Sequence, residues 1–324
     1  DSSEYSFIKD ILSIKPNGNA RVEGKKTNIP HFNFDLFKQN MSKKEYSQNY
    51  SSIREKIFKE RKSRVHPQKD DKILTDWNGL MISALSRAAA ITGNNRYKKV
   101  CVQSMDFILN NLKQNEGKLF KRYRNGEAAI DGMIEDYAFL VWGLIEMYQL
   151  TFDIKYLQEA IELSDYQIEN FWDNKDKGFY YYDKNSEDLI VRAKEVYDGA
   201  IPSGNSVSAF NFIRLGKILN NSFYTSIAKE TIKAFSYRIN LSGTSFSMML
   251  HAIDYDFGPS NEVIVVGDID DSKTKKILNQ VYKSKNLSKV IVLINSKQKK
   301  EIINLIPFSE FYFNAEGPMA YICK

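Results

Sequence analysis

Apolar residues recur along this chain at the three- and four-residue spacing of buried helix faces, in paired segments, and the pairs repeat. Three copies open at Thr75-Asp76-Trp77-Asn78-Gly79-Leu80-Met81-Ile82, at Ile134-Glu135-Asp136-Tyr137-Ala138-Phe139-Leu140-Val141 and at Ile201-Pro202-Ser203-Gly204-Asn205-Ser206-Val207-Ser208. With Ala84-Leu85, Gly143-Leu144 and Asn211-Phe212 superposed, each copy runs one helix, breaks at a short polar turn and runs a second. Tyr97, Tyr156 and Tyr224 then fall in register, 59 and 68 residues apart. One helical hairpin cannot bury its own apolar faces, so a repeat of this kind predicts stacked hairpins in a solenoid or a ring. The hairpins are predicted over 76–113, 134–171 and 203–238, with a further helix from Ser242 to Ile253.

The rest of the pattern fits around this array. Pro16, Gly18, Gly24 and Pro30 break residues 1–40 into short pieces, which reads as loops with little regular structure. A helix is predicted from Ser42 to Arg64, opened by a Ser42/Glu45 capping box and stopped at Val65-His66-Pro67. Short alternating or aromatic runs at 117–123 and 178–183 suit small β-hairpins. After Pro259 the period changes: strands at 262–267 and 289–294 alternate with helices at 272–282 and 297–305. The predicted class is therefore mainly α, an α/α toroid of helical hairpins over residues 1–258 with a small α/β appendage over 259–324. In a ring of such hairpins the first helices point the same way, so their N-termini and the long connecting loops gather at one mouth.

Composition narrows the function classes. A chain of 324 residues with 43% hydrophobic and 13% aromatic residues can build a substantial core. No run approaches the roughly 20 apolar residues of a membrane span, and Asp1 to Ile14 lacks a signal-peptide layout, so no membrane association is expected and the location reads as cytoplasmic. The net charge of +6 is dispersed; Lys59 to Arg64 is the one basic cluster and reads as a solvated helix end, so no nucleic-acid partner is expected. Cys101 and Cys323 support neither a disulfide framework nor a zinc site. Gly267-Asp268 follows a strand but belongs to no G-x-G-x-x-G or P-loop, and no two of His31, His66 and His251 share a ligand spacing. Neither a cofactor nor a metal is expected. His251 sits in an apolar helix and reads as a core histidine.

The candidate chemistry stands at the helix starts. Asp76 and Asn78 open the first copy, Glu135 and Asp136 the second, Ser203 and Asn205 the third, with Asp70, Asp71, Asp131 and Asp198 in the preceding loops. Any one of them suits a helix cap. Convergence at one mouth changes the weight, because paired carboxylates are what glycosidic-bond chemistry uses as acid and base or nucleophile. Asp76, Glu135 and Asp136 are the acid/base candidates, since each joins a carboxylate at a helix start to a nearby aromatic, Trp77 or Tyr137. Asp71, Trp77, Asn78, Tyr137, Asp198, Ser203 and Asn205 are the candidates for binding a sugar. Phe179, Tyr180, Tyr181 and Tyr182 could stack on a sugar or simply pack the core. Without a Gly-x-Ser-x-Gly elbow, Ser203 reads as a cap, not a nucleophile.

The stretch from Asp70 to Met81 and that from Asp198 to Ser206 resemble the spermatogenesis-associated, thioredoxin-domain-containing family, with further matches from Glu23-Gly24 to Pro30-His31, at Glu135-Asp136-Tyr137-Ala138 and from Glu262 to Gly267. The resemblance implies a toroid similar to six-hairpin glycosidases and to N-acylglucosamine 2-epimerase. It finds no counterpart here for the family's thioredoxin-like domain or its earliest toroid helices. About eight helices are countable where six hairpins need twelve, so the chain is expected to be a C-terminal portion with an incomplete ring. An apolar flank should then remain open as a partner or oligomer surface. The function expected is a carbohydrate-active protein, glycosidase- or sugar-epimerase-like, acting on a small-molecule sugar at the mouth. The other reading is a non-catalytic binding or scaffold module working with a thioredoxin-like domain.

Overall fold

A computed structural model describes residues 1–324 apart from 41–42, 187–190, 316, 324 and the side chain of Phe37. Contacts divide it into two compact units, Asp1–Asp70 and Asp71–Lys324. The first contains α1 (Ser2–Ile11), an antiparallel pair β1 (Ala20–Val22) and β2 (Lys25–Thr27), α2 (Phe34–Asn40) and α3 (Lys44–Lys62). The loop reading of residues 1–40 is thus corrected. Asp1 and Glu4 form a capping box that starts α1, and Ile8 and Ile11 bury against Ile53 of α3. The predicted cap at Ser42 lies outside the described residues.

The second unit holds β3 (Ile73–Leu74), α4 (Thr75–Thr92), α5 (Asn95–Asn111), β4 (Phe120–Arg124), β5 (Glu127–Asp131), α6 (Ile134–Thr151), α7 (Ile154–Phe171), α8 (Gly204–Leu219), α9 (Ser222–Leu241) and α10 (Ser247–Phe257). The three predicted hairpins are α4/α5, α6/α7 and α8/α9. Each turn has the same construction: the first helix ends on a left-handed residue, Gly93, Phe152 or Asn220, and the next residue, Asn94, Asp153 or Asn221, caps the second helix with its side chain.

The first helices lie side by side and parallel, because their contact partners advance together. The Asp76 N–H meets Asp136, Gly79 meets Phe139, and the Ser86 hydroxyl meets the Met147 sulfur at 3.2 Å. Between α6 and α8, Gly204 touches Ile134, Asn211 Nδ2 donates to the Ala138 carbonyl at 2.7 Å, and Arg214 pairs with Glu146. Phe210 of α8 packs on His251 and Tyr255 of α10. The helices α5, α7 and α9 pack on this row as the second members of their hairpins, which is the α/α-toroid arrangement. Trp77, Met81 and Ile91 form an exposed apolar stripe along one sector of α4. Among the described residues no helix is long and apolar enough to cross a membrane.

The appendage contains β6 (Asn261–Val266), α11 (Ser272–Lys283), β7 (Lys289–Ile294), α12 (Lys299–Leu305) and β8 (Met319–Cys323). β6 and β7 are parallel across α11, and β8 adds antiparallel to the other edge of β6. Of the two predicted β-hairpins, the first is β4/β5, which joins β3 in a three-stranded sheet and turns at Asn125-Gly126, both with positive φ. Among the described residues the second does not form: residues 178–183 make an isolated bridge, Trp172 to Phe179, and Asn205 takes up the Phe179 backbone, accepting its N–H at 2.7 Å and donating to its carbonyl at 2.9 Å.

α4 and α6 approach closely because Gly79 has no side chain. A Cβ there would stand 2.5 to 2.7 Å from the Phe139 and Leu140 backbone, which cannot move aside as a flexible side chain could. Gly79→Ala should therefore lower stability by about 1–3 kcal/mol despite alanine's better helix propensity. Urea unfolding of the two proteins measures this, and an unchanged midpoint would exclude the close contact.

Candidate active site

The closeness of α4 and α6 assembles the helix-start residues. Thr75 Oγ1 donates to the Phe120 carbonyl at 2.6 Å, tying the start of α4 to β4, and Lys121 follows on that strand. Lys121 Nζ stands 3.0 Å from Asp76 Oδ2 and 3.5 Å from Asp136 Oδ2. Asp136 also accepts the Asp76 N–H at 3.1 Å and the Met133 N–H at 2.8 Å, while Asp76 Oδ1 takes the Trp77 N–H at 2.8 Å. Asp76 is 4% exposed and Asp136 0%, so both carboxylates depend on these donors in place of water.

One ammonium cannot neutralise two carboxylates, and the imbalance shows in the proton affinities. Burial, helped by Asp76, pushes the Asp136 carboxyl up to about 7 against the pull of Lys121 and the two N–H groups. Burial would lower Lys121, but Asp136 and Asp76 outweigh it and hold the ammonium above its usual range. The half-buried Glu135 is also raised, chiefly by burial and further by Asp76 and Glu195, with Lys121 and the neighbouring Tyr181 hydroxyl opposing. Burial and Glu135 raise Tyr181 to about 12. The cluster is therefore Asp76, Lys121, Glu135, Asp136 and Tyr181, with Glu195 at its edge. Such a set can hold a proton on a carboxyl near neutral pH and pass it to a bound oxygen.

The three acid/base candidates thus come together, but the binding candidates disperse. Asp198 Oδ1 accepts the Ser203 N–H at 2.8 Å; its Oδ2 accepts the Ser206 hydroxyl and the Met248 and Met249 N–H groups, the last two at 2.8 and 3.0 Å. It fastens the starts of α8 and α10, and Ser203 is the α8 cap as read. A cavity of 300 Å³ opens beside them, lined by Asp198, Pro202, Met248 and His251 among others. Asn205 is fully buried as the clamp on Phe179 and also donates to the Glu195 carbonyl at 2.7 Å. Tyr137 lies in the core, stacked on Tyr166 with centroids 5.2 Å apart, its hydroxyl accepting the Leu119 N–H. Asn78 bonds back to the Leu74 carbonyl at 2.7 Å, and Asp71 pairs with Arg124 at an exposed position. Trp77, 60% exposed, offers an open ring. Lys121 escaped the sequence reading. Its only signal is its place in a short strand whose partner, β3, leads straight into α4. Among the described residues no group of His, Cys, Asp and Glu is placed to hold a metal ion.

No protein-family profile matches the chain. It is 28% identical over 281 residues to human spermatogenesis-associated protein 20, an alignment covering 83% of this chain and 36% of that protein. The resemblance read from the motifs is thus shown by a curated relative, of which the chain spans about a third of the length. Among solved structures, the chain is similar to a cellobiose 2-epimerase from Spirochaeta thermophila, with TM-score 0.49, 12% identity and 60% and 56% of the two chains covered. An α-mannanase from Bacteroides thetaiotaomicron gives TM-score 0.47, 19% identity and 59% and 55% coverage.

Asp136 makes the ion cluster pH-sensitive. Its folded-state affinity for a proton exceeds the ordinary value of 3.8, so the native state holds more protons than the unfolded chain between about 4 and about 7. The stability this contributes is present at the acid end of that window and is lost as the pH rises through about 7. Urea midpoints measured across the window should fall with pH more steeply in the native sequence than in Asp136→Asn. Parallel pH dependences in the two proteins would show that Asp136 is ionised throughout.

Proposed function

We propose that the helix-start cluster performs general acid/base chemistry on a sugar, with Glu135 as the group that meets the substrate. The observation that carries this reading is the contrast between neighbours: Asp136 is fully enclosed with its oxygens engaged, whereas Glu135 is half-buried, raised in proton affinity and set beside Tyr181. Asp76, Lys121 and Asp136 are then positioning residues that set the field around Glu135. Protonated, Glu135 could donate to a leaving oxygen in hydrolysis; ionised, it could take a proton from a carbon beside a carbonyl in epimerisation. The exposed Trp77 ring next to Asp76 suits the apolar face of a sugar.

A scaffold reading has its own support, because Asp136, Asp198 and Asn205 are engaged with backbone groups much as caps and clamps are. A panel of mono- and disaccharides, screened by thermal shift and product detection, separates the two. Under the acid/base reading Glu135→Gln loses about 100-fold or more in turnover while unfolding at the wild-type temperature. Turnover that needs protonated Glu135 should persist to a pH above the ordinary carboxylate range and then fall. If no sugar raises the melting temperature and none is converted, the scaffold reading takes over.

A further inference from the structure

The other ends of the same inner helices hold a different kind of site. The C-terminal halves of α4, α6, α8 and α10, together with Tyr282 of α11 and the start of β7, line a partly open cavity of 60 Å³. On the measure by which a single water needs about 10–15 Å³, that is room for a ligand of a few heavy atoms. Its charged lining is lopsided, with Arg87, Arg214 and Lys289 against Glu146.

Arg214 is the informative residue. Its side chain is 3% exposed, and Nη2 bonds Glu146 Oε1 at 2.8 Å, but Nη1 has no hydrogen-bond partner. The buried Tyr255 hydroxyl in the same wall makes no full hydrogen bond either, although Arg214 faces it closely enough to oppose the rise that burial gives its proton affinity. Unpaired buried donors are costly and rare in folded proteins. Arg87 is half-buried across the cavity, its Nη2 reaching the Leu287 carbonyl at 3.4 Å. The excess positive charge is felt nearby: burial and Arg87 both lower Lys289, and burial, Arg87 and Arg214 lower His251 against the pull of Asp254. Cations do favour helix C-termini, but that effect requires neither a cavity nor an unpaired N–H. Phe210 and Ile291 supply apolar wall.

We propose that this cavity binds a small organic carboxylate, its oxygens taking Arg214 Nη1 and the Tyr255 hydroxyl and facing Arg87, its short apolar end lying against Phe210 and Ile291. The site uses none of the groups of the helix-start cluster, so the two readings stand or fall separately. Lys289 contributes field only, since its ammonium already donates to Ser284 Oγ at 2.7 Å and to the Asn286 carbonyl at 2.9 Å.

Calorimetric titration and thermal shift of the whole chain with butyrate, butylamine and inorganic phosphate test this. Butyrate should saturate one site and raise the melting temperature, and butylamine should do neither. Arg87→Gln should weaken butyrate binding by about tenfold or more. Tyr255→Phe should weaken it with little loss of stability, because the hydroxyl makes no full hydrogen bond in the free protein, and it keeps the test open if Arg87→Gln folds poorly. Absence of saturable butyrate binding, binding unchanged in Tyr255→Phe, or saturation by phosphate but not butyrate would each overturn the proposal.

Discussion

The contact of α4 with α6 at Gly79 is the constraint on which the helix-start cluster depends. Asp76 and Gly79 are three residues apart, hence on one helix face, and Asp136, Phe139 and Gly143 share the facing side of α6. With no Cβ at Gly79 the two backbones nearly touch, and only then does the Asp76 N–H reach Asp136 Oδ1. Burying Asp136 would be strongly unfavourable alone. Two N–H donors and the Lys121 ammonium offset that cost, so glycine contact and ion cluster form one unit rather than two features.

Parallel alignment gives the row of inner helices a chemical polarity. Helix dipoles that point the same way present N–H groups and positive potential at one end, carbonyls and negative potential at the other. Asp76, Glu135, Asp136 and Asp198 stand at the first end, Arg87 and Arg214 toward the second. Helix α6 carries both kinds of site, with Asp136 paired to α4 at its start and Glu146 paired to Arg214 of α8 in its last turns. A buried ion pair of this sort contributes little net stability, but removing one partner strands the other, which fixes the register of α6 against α8.

What could be read from the residues follows from how local the determinants are. The hairpins were legible because their turns are local: a left-handed terminator followed by an Asn or Asp cap recurs in all three copies. Helix α1 was hidden by the Pro and Gly residues after it, although its own Asp1/Glu4 box was in plain view. Strand β8, with most of its residues exposed, carries no alternating apolar signal, and only β6 makes it a strand. At the site, Asp76 and Asp136 were legible as helix starts, but Lys121 lies 45 residues from Asp76 and arrives through sheet register. Asn205 and Tyr137 were misplaced for a physical reason. An amide or phenol beside a helix start looks the same in sequence whether it faces a ligand or a backbone partner.

Glu135 and Asp136 show how one turn of helix divides a task. Neighbours in sequence are about 100° apart around the axis, so if Asp136 faces α4, Glu135 must point well away from that seam. The enclosed residue takes the N–H donors and shares the ammonium, and its orientation is then fixed by packing. Its neighbour keeps a partly open carboxyl within the field of the same groups, where burial, Asp76 and Glu195 raise it and Lys121 restrains it. A reactive carboxyl needs both a perturbed environment and a path to substrate, and Glu135 combines a raised proton affinity with partial exposure. Asp136 thus holds the geometry of the cluster through its N–H donors and Lys121, while Glu135 beside it keeps a partly exposed carboxyl in the same field.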